Sequence, residues 1–268
     1  MSYKALALDL DGTLTDHNKK VPENNKKAID RAIEKGVKII LASGRPLFGI
    51  TPVARELGLD KKGGYILAYN GGSIIDCKTG KQLSATILPD NCIADICSLA
   101  RHNNVYALTY ADTQIVAESD EDEYVMKEAK CNAATVIKVP DLNAYVDYPV
   151  EKFLVVGEHE KLIPVQKALL EKHKGIINAF FSESYFLEVV PESVAKDVAL
   201  DKLLGILGIK SEELAACGDG MNDIPMLKYA GLAVAMDNAY DEVKMYADVI
   251  VPSNDDCGVA YAIEKYIL

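Results

Sequence analysis

Tyr3-Lys4-Ala5-Leu6-Ala7-Leu8-Asp9-Leu10-Asp11-Gly12-Thr13-Leu14 is the stretch on which the reading of this chain turns. It opens as a nearly continuous apolar run and stops in two acids, which fits a strand buried on both faces of a parallel sheet. In an open α/β sheet, ligands lie beyond the carboxyl ends of the strands, so Asp9 and Asp11 fall where a ligand would sit. Gly12 lets the chain turn away. Two carboxylates this close repel unless one is protonated or a cation lies between them, and a hard divalent ion with oxygen ligands suits them. The plainer alternative is a strand ending in solubilising acids. Chance alone gives D-x-D-G-T in roughly a few per thousand chains of this length.

Working outward, a helix is expected over 22–35, stopped by Gly36. Strand 37–42, helix 46–57 and strand 65–69 follow. Strands alternating with helices argue for βαβ units and a parallel sheet. The rhythm returns with helix 196–207, strand 214–217, helix 223–230, strands 232–236 and 248–251, and helix 259–267. The middle differs. A hairpin is expected around Lys78-Thr79-Gly80, then helix 89–101, strands 105–110 and 114–117, helix 120–130, strands 135–139 and 152–156, helix 160–172 and strand 186–190. No repeats or low-complexity tracts occur. The expected architecture is α/β: a doubly wound, mostly parallel, Rossmann-like core from 1–83 and 186–268, with an α+β domain inserted at 84–185.

The chain has 268 residues, 49% of them hydrophobic, which suits a soluble protein with a sizeable core. Its net charge of −11 disfavours a nucleic-acid partner and would also repel a phosphorylated small molecule unless a bound cation and a few placed basic residues intervene. No apolar run approaches the roughly 20 residues of a membrane span. The N-terminus enters the first run directly, without the pattern of a secretion signal. The six scattered cysteines and four histidines make a zinc site unexpected and suit reduced thiols in the cytoplasm.

Three further clusters carry chemistry. Ala42-Ser43-Gly44-Arg45-Pro46 ends the second strand, where a hydroxyl, an N–H and a helix N-terminus make an anion site, though Ser-Gly-x-Pro is also ordinary punctuation. Lys196 opens a helix; alone it would be read as solvated surface, with Asp197 as its partner. Cys217-Gly218-Asp219-Gly220-Met221-Asn222-Asp223 follows a short strand, and its acids suit a hard cation or a helix cap.

Together, Asp9-Leu10-Asp11-Gly12-Thr13, Ser43-Gly44-Arg45, Lys196 and Gly218-Asp219-Gly220-Met221-Asn222-Asp223 resemble motifs I to IV of the haloacid dehalogenase superfamily. Their order and the insertion between motifs II and III are similar to its Cof-type branch, as are Tyr69-Asn70-Gly71-Gly72, Val234–Ala239 and Gly258-Val259-Ala260, and the ending resembles YidA-type sugar phosphatases. The resemblance implies a Mg²⁺-dependent phosphatase of small phosphorylated metabolites, sugar phosphates above all, working as a monomer or homodimer. It implies Asp9 as nucleophile, forming an aspartyl-phosphate, and Asp11 as general acid and then base. It implies Mg²⁺ on Asp9, the backbone carbonyl of Asp11, Asp219 and Asp223. Leu10, Ser43, Gly44, Arg45, Lys196 and Asn222 would form the phosphate-binding set. The insertion would be a C2-type cap whose Tyr110, Glu118, Phe181 and Tyr185 either meet substrate or simply pack. Asp197 departs from the family, which often has glycine there. Two alternatives stay open: transfer of the phosphoryl group to a second sugar hydroxyl, and binding of a phospho-metabolite without turnover.

Overall fold

The computed structural model describes residues 3–268. Met1 and Ser2, with which the expected core begins, lie outside the described residues. Fourteen strands follow in chain order: β1 (Ala5–Leu8), β2 (Lys38–Ala42), β3 (Tyr65–Ala68), β4 (Ser73–Asp76), β5 (Gln82–Ala85), β6 (Tyr106–Ala111), β7 (Gln114–Ala117), β8 (Val136–Lys138), β9 (Phe153–Val156), β10 (Ile177–Glu183), β11 (Phe186–Pro191), β12 (Leu214–Gly218), β13 (Leu232–Met236) and β14 (Val249–Val251). They form two sheets, and the chain divides into two units.

The first unit joins the residues up to Ser84 with Ala195–Leu268. Its sheet runs β14-β13-β12-β1-β2-β3-β4-β5, parallel from β14 to β3 and antiparallel at β4. All four β1 residues are buried, which requires cover on both faces. Ala5 and Ala7 lie in a core with Leu200, Leu203 and Leu204 of helix Lys196–Leu207 and Met226 and Leu227 of helix Ile224–Tyr229. Leu6 and Leu8, fully buried too, point to the opposite face by strand alternation. From β1 the chain winds outward to β3 on one side and, after the second unit, to β14 on the other. The C-terminal ends of β1, β2 and β12 therefore stand at the topological switch point of a doubly wound sheet.

The second unit, Ala85–Val194, carries a sheet in the order β10-β11-β9-β6-β7-β8, antiparallel except for β7 with β8. Helices Asp90–His102 and His159–Lys172 supply Ile93, Ile96, Leu162, Val165 and Leu169 to a core with Phe153, Val155, Leu187 and Val189. Helix Glu123–Cys131 is capped by Asp122, whose carboxylate accepts from the N–H groups of Tyr124 and Val125.

The division near Ala195 differs from the expected one after residue 185. β10 was not anticipated, and it pairs with β11 as an antiparallel hairpin in register from Ile177 opposite Pro191. A boundary at 185 would cut that hairpin at its turn and separate β11 from β9. Short helices Leu59–Lys62, Leu142–Tyr145 and Asp241–Lys244 were also not anticipated. The last helix is α-helical only over Gly258–Ala262 and widens to a π-turn over Ile263–Ile267. Among the described residues, no helix is long and apolar enough to cross a membrane. Burial pushes the thiols of Cys97 and Cys217 up to about 12, so neither is a ready thiolate.

Candidate active site

The four sequence clusters meet at the C-terminal end of the first unit's sheet. Asp9 follows β1 directly and is buried. The Lys196 side chain, fully buried at the start of its helix, donates to Asp9 Oδ1 at 2.6 Å, to Asp223 Oδ1 at 2.6 Å and to the Ala42 carbonyl at 2.8 Å. An ammonium has three donors, and all three are used. Asp197, expected as a possible partner for Lys196, takes none of them, and one of its carboxylate oxygens is hidden without a hydrogen bond.

Asp219 and Asp223 come from the loop after β12. Asp223 Oδ2 accepts from the N–H groups of Asp219 and Gly220, each at 2.9 Å, which folds the loop around its own carboxylate. Thr13 Oγ1 donates to Asp219 Oδ1 at 2.6 Å and ties this loop to the one after β1. Gly12 is required twice over: its φ is +84°, and a Cβ there would lie 2.2 Å from Asp219 Oδ2. Asn238 Nδ2 donates to the Gly12 carbonyl, and Asn254 Nδ2 to that of Thr15, so the loops after β13 and β14 brace the same turn.

Oxygens of Asp9, Asp219 and Asp223 lie within 4.8 Å of one another. Three carboxylates then face one ammonium. Burial, followed by Asp223 and Asp219, pushes the Asp9 carboxyl well above its usual range against the pull of Lys196. Burial chiefly, with Asp223 and Asp11 adding, raises Asp219 to about 6 despite the Thr13 hydrogen bond. The Lys196 ammonium, which burial alone would weaken, is held firmly protonated by Asp223 and Asp9. Oxygen donors in negative excess fit a hard divalent cation.

Asp11 stands apart from that cluster. Arg45 donates to it twice, Nε to Oδ2 at 2.7 Å and Nη2 to Oδ1 at 2.6 Å, and Lys19 Nζ donates to Oδ1 at 2.6 Å. Burial would raise this carboxyl, but Arg45 and then Lys19 outweigh it and hold it below the usual range. Of the metal set, Asp11 is thus the member whose side chain is given to two cations, leaving its backbone carbonyl as the group the resemblance assigned.

Ser43 is buried after β2. Its N–H donates to the Leu67 carbonyl, its carbonyl accepts from the Asn70 N–H at 2.9 Å, and its Oγ accepts from the Arg45 N–H at 3.2 Å. Gly44 follows it, one turn ahead of helix Leu47–Glu56. The Leu10 side chain is fully buried, and its carbonyl accepts from the Thr15 hydroxyl and N–H, so what it can offer a ligand is its own N–H. Asn222 Nδ2 donates to Asn70 Oδ1 at 3.0 Å. Asn70 and Tyr69, at φ 57° and 54°, form a left-handed pair that bends the chain after β3 back onto Ser43 and Arg45. The sequence alone assigns no role to Asn70, Thr13, Asn238 or Lys19; Thr13, Asn70 and Asn238 stand in the quoted motifs, which is the available signal, and Lys19 does not. In the second unit, the Tyr110 hydroxyl donates to Glu128, and Glu118 accepts from Arg101 and the Leu142 N–H, so both are engaged in packing there.

Residues 6–263 match the model of the haloacid dehalogenase-like hydrolase family. The chain belongs to this family. A haloacid dehalogenase-like hydrolase from Bacteroides thetaiotaomicron superposes with a TM-score of 0.95 at 44% identity, over 98% of this chain and 99% of that one. The 5-amino-6-(5-phospho-D-ribitylamino)uracil phosphatase YwtE of Bacillus subtilis is 29% identical over 98% of both chains. A subclass IIB sugar phosphatase, BT4131, shares the fold at 23% identity and a TM-score of 0.85, over 99% of this chain and all of that one. The hydrolase is an enzyme of phosphoric monoesters, and its mixed α/β architecture is that of these relatives.

Proposed function

We propose that this hydrolase cleaves phosphate monoesters of small metabolites, sugar and polyol phosphates foremost, through a phosphoryl ester on Asp9 and with Mg²⁺ as its cation. The observation that carries the reading is the buried Asp9 carboxylate at the end of β1, tied by one oxygen to Lys196 and crowded by Asp219 and Asp223. A carboxylate can attack phosphorus, and phosphoryl transfer asks mainly for positioning and charge neutralisation. Asp9 forms a bond to phosphorus as the ester oxygen leaves and takes a proton from Asp11, which carries one only once Arg45 turns from it to the phosphoryl group and burial is left to raise its carboxyl. Asp11 then takes a proton from water, which attacks phosphorus, frees Asp9 and releases inorganic phosphate. Asp9, Asp219, Asp223 and the Asp11 carbonyl would hold Mg²⁺, which supplies positive charge to the phosphoryl oxygens and the crowded carboxylates. Ser43, Gly44, Asn222 and the Leu10 N–H are the donors assigned to the phosphoryl oxygens, with Arg45 beside them; Lys196, whose three N–H groups are taken by Asp9, Asp223 and the Ala42 carbonyl, contributes its charge.

The sugar-phosphate class is supported by the sequence resemblance, and the polyol class by YwtE, which is named for a phosphoribityl substrate. Substrate choice is assigned to the inserted unit in the part of a C2-type cap. The test is release of phosphate from para-nitrophenyl phosphate with and without Mg²⁺, by the native protein and by Asp9→Asn, followed by a sugar-phosphate panel. Mg²⁺-dependent release that Asp9→Asn abolishes is expected. Full activity in that variant, on a folded protein, would rule the reading out.

A further inference from the structure

Lys19 lies on a surface turn, eight positions after the acid it touches, and its side chain is 55% exposed. A surface lysine paired with an acid ordinarily adds little to folding. Its backbone is nevertheless held at φ 60°, a left-handed conformation that lysine rarely adopts. The turn that enforces it is closed on both sides. Asp16 Oδ1 accepts from the N–H groups of Asn18 and Lys20, the Asp16 carbonyl accepts from the Lys19 N–H, and the Lys20 carbonyl accepts from the Asp16 N–H. Next along, His17 is moored to Asp255 by its N–H at 2.9 Å and its ring at 3.0 Å. Strain maintained by its surroundings and aimed at one carboxylate points to function rather than to stability.

The carboxylate is that of Asp11, and the three bonds it accepts divide unevenly. Oδ1 takes Lys19 Nζ and Arg45 Nη2, whereas Oδ2 takes Arg45 Nε. Arg45 belongs to the loop assigned to the substrate, so a donor it turns toward a phosphoryl oxygen is one withdrawn from Asp11. Lys19 approaches from a separate turn with its own mooring, so its bond to Oδ1 does not depend on the Arg45 loop. We propose that Lys19 is a positioning residue: it pins Oδ1 of Asp11, so that Oδ2 is the oxygen that gives the proton to the leaving group and takes one from the attacking water. The proton count balances across the cycle, one leaving from Oδ2 and one returning to it, with one water consumed. The inference rests on the acid–base role proposed for Asp11.

Steady-state kinetics on para-nitrophenyl phosphate with Mg²⁺ test it, using the native protein, Lys19→Gly, Lys19→Arg and Asp9→Asn. Glycine removes the side chain while suiting the left-handed backbone, so Lys19→Gly is expected to melt no lower than the native protein. Its kcat should fall about tenfold, part of the ~10²–10⁴-fold that general acid–base catalysis supplies, with KM changed less than about twofold. Lys19→Arg should recover most of the loss. A native kcat in Lys19→Gly, a raised KM with unchanged kcat, or an arginine variant as slow as the glycine one would each overturn the positioning role. A native protein without phosphate release, or an active Asp9→Asn, would instead overturn the reading beneath it.

Discussion

With its side chain fully buried, Lys196 offsets part of the negative charge of three carboxylates and pairs directly with two of them. Removing one partner of a buried ion pair leaves the other charge uncompensated, at a cost of ~3–5 kcal/mol. Lys196→Met should therefore unfold at a clearly lower urea concentration and lose phosphatase activity; a native unfolding midpoint would contradict this account. The acids of this cluster were legible as candidates because each sits where a strand ends and a glycine turns the chain, whereas Lys196, which alone reads as solvated surface, gained its role only from the resemblance. Lys19 was not legible. Its meaning depends on a five-residue turn folding back onto Asp11, and nothing in the letters Asn18-Lys19-Lys20 distinguishes that from solvated surface. The resemblance put Arg45 beside the expected phosphate site, but its two bonds to Asp11 were not legible, because a side chain's partner across two loops leaves no trace in spacing.

Glu128 shows the same limit within one element. It lies on helix Glu123–Cys131, buried, and accepts from the Tyr110 hydroxyl at 2.8 Å and from Asn132 Nδ2 at 2.8 Å. Burial chiefly raises its carboxyl above the ordinary 4.5, against the pull of Lys152. A carboxyl raised on folding contributes stability that is fully present below its unfolded value and is lost as pH rises through the folded one. Glu128→Gln keeps the acceptor oxygen and removes the titration. The variant should gain on the native protein in unfolding free energy as pH climbs above about 4.5, and a difference that stays constant with pH would contradict this. At this scale the βαβ alternation of the first unit was readable from apolar runs, since strands covered on both faces have no polar residues to blur them. β10 was missed because Ile177-Asn178-Ala179-Phe180-Phe181-Ser182-Glu183 carries polar residues along an edge strand, and the domain boundary moved with it.

For the whole molecule, the formal charge of −11 opposes the approach of any phosphate monoester. Screening shortens that repulsion, since the Debye length falls from about 30 Å at 0.01 M to about 8 Å at 0.15 M ionic strength. With Mg²⁺ held constant and saturating, kcat/KM for a dianionic ester should rise over that range; a fall would mean that a local positive field governs capture instead. Asp9 and Lys196, in contact at 2.6 Å, are 187 positions apart, because the second unit is written between them. That interruption sets an order of events during biosynthesis. The strand from Ala5 to Leu8 and its neighbour Lys38–Ala42 are both translated ahead of the insertion, but its other neighbour, Leu214–Gly218, is translated only after it. Until then the centre of the future sheet has an open backbone edge, the feature that invites pairing with another nascent chain. The insertion carries its own core and is translated in full before that partner, so the sheet bearing the candidate site can close only after the insertion has been made.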